Sequence, residues 1–226
     1  MLPRPNQQPA SRPRRISNDD GFTLIELIAA MGIFSIFIVI FLTAVTGLMR
    51  EATRTQVTSE ATSSALIVFQ NLDRQIRYAD AINYPGPALG SSGARYVEFR
   101  TPAASTRNNQ TLCTQWRFLP SANRIESRTW RDIAGAVPSS WSTKLTSAIS
   151  TTGANNPFGL IPASVTGSAM QQLTLKINAG TAGVDGSTEV STNFVARNSG
   201  LHSPSNAVNG SGQSATPVCS FGGYRP

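Results

Sequence analysis

The sequence predicts an α+β protein in which one long N-terminal helix packs on a C-terminal antiparallel sheet. Three observations carry that expectation. From Leu27 to Met49 no residue bears a formal charge. Beyond Met49, apolar residues recur at helical spacing as far as Ala79. After Pro85 the pattern changes to short alternating runs bounded by Gly, Pro, Asn and Ser, the signature of strands and turns.

The first part of the helix has the length of a membrane span. At the rise of an α-helix, Leu27 to Met49 covers about 35 Å, enough to cross a ~30 Å hydrocarbon core with modest tilt. The run contains no proline, and Gly32 and Gly47 are its only weak helix formers. Glu26 lies close to its start, after Phe22, Leu24 and Ile25. An ionisable side chain at membrane depth marks a functional site by default, and nothing in its own segment offers a cation to pair with it. Four arginines precede the apolar run, which favours a cytoplasmic N-terminus.

The second part of the helix is amphipathic. Val57, Ala61, Ala65, Phe69, Leu72, Ile76 and Ala79 form one stripe, and Arg54, Thr58, Asp73, Arg74 and Arg77 mark the other face. Asn83-Tyr84-Pro85-Gly86 is the stop signal, so one unbroken helix is expected from Phe22 to about Ala81. Two helices hinged near Gly47 are the alternative.

Strands follow. Tyr96–Arg100 alternates with Val97 and Phe99 on one face, and Leu112–Leu119 pairs through a Pro120–Asn123 turn with Arg124–Trp130 as a hairpin. Leu173–Ile177 and Val190–Arg197 complete a sheet of four or five strands. Residues 131–172 are too long for a plain connection and are expected to hold a short helix or an irregular insertion. The Gly-, Ser- and Asn-rich residues 200–226 read as a flexible tail.

Composition narrows function. The 226-residue chain has a formal charge of +7, which permits weak attraction to polyanions such as DNA; a solvated basic surface is the first explanation, and the charge does not fix a fold. It holds no nucleophile elbow, phosphate-binding glycine loop or HExxH, and no carboxylate pair at helical spacing, so neither an enzyme nor a cofactor is expected. Two cysteines and one histidine, His202, do not make a zinc set. Cys113 and Cys219 are expected to form a disulfide tying the tail to a strand, with two free thiols as the alternative.

The head of the helix carries a resemblance. Gly21-Phe22-Thr23-Leu24-Ile25-Glu26, followed by about twenty apolar residues, resembles the cleavage and methylation motif of type IV prepilins and of type II secretion pseudopilins. Asp19 and Asp20 depart from the basic residues more usual before the glycine. The resemblance implies that prepilin peptidase cuts between Gly21 and Phe22 and that Phe22 becomes the N-methylated first residue. Glu26 would then set subunit register by pairing with the terminal amine of a neighbouring subunit. The implied organisation is a cytoplasmic leader (1–21), a transmembrane and filament-core helix (22–49), its amphipathic continuation (50–84), an extracytoplasmic β domain (85–199) and the tail (200–226). The implied partners are the peptidase, other pilin subunits, an inner-membrane assembly platform and, before assembly, the lipid bilayer. The implied location is the bacterial inner membrane and then a pilus or pseudopilus.

A second similarity is thinner. The helix segment Phe69–Ala79, the strand Trp116–Leu119 and the late run Phe194–Asn198 resemble the minor pilins called W and the pseudopilins called J. Two further readings stand beside a minor subunit. One is a tip module that captures DNA weakly, or a surface, which requires arginines with Trp116, Trp130 or Trp141 exposed on one face. The other is an anchored surface protein that never assembles.

Overall fold

The computed structural model describes residues 21–89, 93–149, 157–180 and 188–219. The expected leader, apart from Gly21, and the end of the expected tail from 220 onwards lie outside them. The chain divides into two compact units between Met49 and Arg50. Helix α1 (Leu24–Arg77) starts in the first unit and ends in the second. It is the one helix among the described residues long and apolar enough to cross a membrane. In the N-terminal unit its large apolar side chains, among them Ile33, Phe37 and Leu48, are exposed.

In the C-terminal unit, Ala61, Ala65, Val68, Leu72 and Ile76 form the buried stripe of α1. Their spacing of three and four residues keeps them on one face. Val68 replaces the expected Phe69 at the centre of the stripe. Phe69 sits at its edge, its ring 6.1 Å from that of Phe194.

Among the described residues ten strands follow: β1 (Ala81–Ile82), β2 (Gly86–Leu89), β3 (Ala94–Thr101), β4 (Leu112–Leu119), β5 (Arg124–Arg131), β6 (Ser142–Leu145), β7 (Ala148–Ile149), β8 (Phe158–Ile161), β9 (Gln172–Ala179) and β10 (Thr188–Val195). They make two antiparallel sheets where the sequence suggested one. The first has the order β1-β3-β4-β5-β6, with β2 also on β3, and the second β10-β9-β7, with β8 also on β9. Val97, Phe99, Trp116, Phe118 and Ile125 from the first sheet share one apolar core with Leu173, Leu175 and Ile177 from the second and with the α1 stripe.

Three expectations need correction. First, α1 stops at Arg77, short of Ala81, and residues 81–82 are a strand. Tertiary hydrogen bonds claim that backbone: the Asp80 and Asn83 amides donate to the Arg100 and Glu98 carbonyls, and the Ile82 amide donates to Gln171 Oε1 at 2.9 Å. These bonds are incompatible with the i→i−4 pattern of a continuing helix. Second, the described part of 131–172 holds the short strands β6, β7 and β8 in place of a helix.

Third, residues 200–219 are anchored to the rest of the unit at several points, although most of them are exposed. Ser205, Ser214, Val218 and Cys219 are buried. The Ser205 hydroxyl donates to the Ile82 carbonyl, and Ser214 Oγ accepts from the Tyr84 amide. Three side-chain amides stand in for peptide groups here, each bonding both the N–H and the C=O of one distant residue: Gln171 with Ile82, Asn206 with Ala163, and Asn83 with Val218. A Gly- and Ser-rich strap with little apolar surface is thus held by backbone satisfaction.

Candidate functional site

The start of α1 is built by Thr23 and Glu26. Thr23 is the N-cap and Glu26 the third helical residue. The Thr23 amide donates to Glu26 Oε2 at 3.0 Å, and the Thr23 hydroxyl donates to the same oxygen at 2.8 Å. In return the Glu26 amide donates to Thr23 Oγ1 at 3.3 Å. This is a capping box, which satisfies helix donors that otherwise have no partner and places an anion at the positive end of the helix dipole. The expectation that Glu26 has no partner in its own segment therefore needs amending. The Thr-x-x-Glu spacing signals the box in the sequence, and its reading as an orphan acid missed it.

All the bonds to the carboxylate fall on Oε2. Among the described residues Oε1 accepts no hydrogen bond, so one oxygen stays open to a cation from outside the chain. The bond between Gly21 and Phe22 lies outside the box, and cutting there would leave the Thr23 amide in place. Phe22 is 89% exposed, and Gly21 has open space around its Cα.

Residues 16–42 match the family model for the prokaryotic N-terminal methylation motif. The chain carries a prepilin-type head. The match is consistent with a type IV prepilin or pseudopilin, and such a motif implies processing by prepilin peptidase, anchoring through the apolar helix and assembly with other pilins. No curated protein and no solved structure matches the chain. The layout of this prepilin-like chain, a long N-terminal helix with C-terminal antiparallel sheets, is pilin-like.

In the C-terminal unit, Cys113 on β4 and Cys219 in the strap are joined with Cα atoms 5.7 Å apart. Asp132 lies within 4.8 Å of both sulfurs. Because the sulfurs are bonded to each other, neither is a thiolate ligand, and this trio is not a metal set. Burial pushes the Asp132 carboxyl up, Arg100 pulls it down and Asp80 pushes it up further. Arg100 holds Asp80 through two hydrogen bonds of 3.1 and 2.9 Å, and lies 3.9 Å from Asp132.

The face of the first sheet turned away from α1 carries a polar ladder that the sequence did not reveal. Glu98 accepts from Asn83 and from Gln115, and Gln115 accepts from Arg128 Nε at 2.7 Å. The Arg117 and Arg128 guanidinium groups lie 3.9 and 4.3 Å from the Trp141 ring centre. Glu126 pairs with Arg117 and Arg124 at 2.6 and 2.8 Å. The tip-module reading asked for Trp116, Trp130 or Trp141 exposed beside arginines on one face, and two of the three do not meet it. Trp116 is 0% exposed and Trp130 5%, leaving Trp141 half-buried between two arginines.

Proposed function

We propose that this chain is a minor type IV pilin or pseudopilin, a structural subunit and not an enzyme. Prepilin peptidase releases it by cutting between Gly21 and Phe22, and it then enters or primes a filament of a pilus, secretion or competence type. The observation that carries the reading is the motif match over residues 16–42, placed on a capped helix whose apolar side chains are unburied in the chain itself. Two surroundings suit such a surface, lipid before assembly and the helices of other subunits after it. The open Oε1 of Glu26 is the acceptor for the terminal amine of a neighbouring subunit. In a medium without water that pairing discriminates strongly, because each charge alone is costly. The Cys113–Cys219 bond supports an extracytoplasmic C-terminal domain.

The test has two parts. Mass spectrometry of the protein from cells should find an N-methylated Phe22 at the N-terminus. The Glu26→Ala chain should be cut normally yet be missing from sheared filaments. Normal incorporation of that variant beside every partner would reject the register role, whereas absence of the unsubstituted chain from filaments, with localisation unchanged by Glu26→Ala, would favour an anchored protein that does not assemble.

A DNA-binding tip is the weaker reading. Arg117 and Arg128 flank Trp141, but Glu126 and Gln115 already engage their guanidinium groups. DNA would have to displace those partners. A binding isotherm whose affinity falls steeply with salt and with Arg117→Gln would favour it.

A further inference from the structure

We propose that the cavity between the end of α1 and the loop after β3 binds a hydroxylated organic acid of the sugar-acid type, with Arg74 and Arg107 taking its carboxylate. The cavity measures about 360 Å³, within the size range of small-molecule sites. One wall is the last turn of α1 with Arg74, Gln75 and Tyr78, and another is the turn carrying Arg107 and Asn108. The cross-strand pair Thr114–Thr129 lines it as well.

The charge of this cavity is one-sided. Among the described residues no carboxylate lines it. Arg107 makes no ion pair among the described residues, and Arg74 has only a 3.4 Å bond to Asn71 Oδ1. Elsewhere in the same unit Arg77, Arg100, Arg117 and Arg124 each face an acid, while Arg54, Arg95, Arg131 and Arg197, outside the cavity, also make no ion pair among the described residues. Two guanidinium groups without carboxylates suit an anion that accepts in a planar, bidentate fashion. The C-terminal end of the α1 dipole opposes an anion, but only with about half a charge, and two full positive charges outweigh it. The Arg77 and Tyr78 carbonyls at that end are already satisfied by the Arg197 amide and Asn198 Nδ2.

The rest of the lining suits a polyol. Thr101, Ser105 and Thr129 supply hydroxyls, and the Tyr78 ring, 48% exposed, gives an apolar platform. The walls are also fixed in place. Asn198 Nδ2 ties the Tyr78 carbonyl at 3.0 Å to Ser105 Oγ at 3.2 Å. The Thr106 hydroxyl donates to the Gln110 carbonyl at 2.8 Å and accepts from its amide at 2.9 Å, closing the loop on itself. Trp116 Nε1 donates to Gln75 Oε1 at 2.9 Å. These bonds hold the walls of the site, while the exposed Arg74 and Arg107 side chains are ordered on binding.

The experiment is a calorimetric titration of the full-length chain in detergent with glucuronate, glucose and inorganic phosphate. Glucuronate should bind saturably, and the other two at least about tenfold more weakly. Arg74→Gln and Arg107→Gln should each lower the glucuronate affinity by about tenfold or more with an unchanged unfolding midpoint, while Arg54→Gln should not. Absence of saturable glucuronate binding, equal binding of glucose or phosphate, or indifference to both arginine substitutions overturns the proposal. The readout is independent of filament assembly, so either reading can fail without the other.

Discussion

The Asn83 side chain bonds both backbone groups of Val218 across 135 residues: Nδ2 donates to the Val218 carbonyl at 2.9 Å, and Oδ1 accepts from the Val218 amide at 2.9 Å. The same Nδ2 also donates to Glu98 Oε2 at 3.1 Å. All three residues are buried, so each lost bond leaves a polar group without water.

Asn83→Ala should therefore destabilise the C-terminal unit by about 2–4 kcal/mol, read as a lower urea midpoint with an unchanged slope. Asn83→Asp should be worse, because it removes the donor and sets a second carboxylate beside Glu98. Equal stability of the Asp variant would show that the amide geometry is not what holds the strap.

Removing the Cys113–Cys219 bond as a double Ala variant should cost about 2–5 kcal/mol. The strap should then become the first site of cleavage in limited proteolysis, between residues 198 and 219. The amide and serine contacts at Ile82, Tyr84 and Asn83 should still slow that cleavage. Further loss of protection on adding Ser205→Ala checks this ordering.

Asp132 gives the fold a defined pH dependence. Its carboxyl is held above the ordinary value of 3.8, chiefly by burial. Just above that value the folded state retains a proton that the unfolded chain has released, so stability falls as pH rises through the window up to the raised value. Asp132→Asn should flatten this part of the urea-midpoint profile and leave the neutral-pH midpoint equal or higher. A lower midpoint at neutral pH would show instead that the Arg100 attraction outweighs the desolvation.

Thr23→Val keeps the volume of the cap residue and removes its hydroxyl, which both donates to Glu26 and accepts from its amide. Processing at Gly21 should be unaffected. Filament incorporation should drop, but several-fold less than in Glu26→Ala, because the carboxylate remains, still held by the Thr23 amide, and loses only its bond to the hydroxyl. Thr23→Ser should restore it. Quantitative blots of sheared filaments against whole cells separate the three variants.

The amino-acid sequence by itself determined the elements whose partners lie close along the chain. The apolar run, the Thr23–Glu26 box, the buried stripe of α1 and the β4–β5 hairpin all rest on local spacing, and spacing is what a sequence displays. Only the tertiary structure decided where α1 ends, because the groups that claim Asp80 to Asn83 come from residues as distant as Gln171 and Arg100. It likewise decided that the glycine- and serine-rich segment 200–219 is anchored, since single amide and hydroxyl groups hold it and those carry no periodicity. The burial of Trp116 and Trp130 follows the same logic. Both faces of the first sheet are covered, one by α1 and the other in part by the strap that Cys219 anchors, and no run within β4 or β5 discloses the second cover.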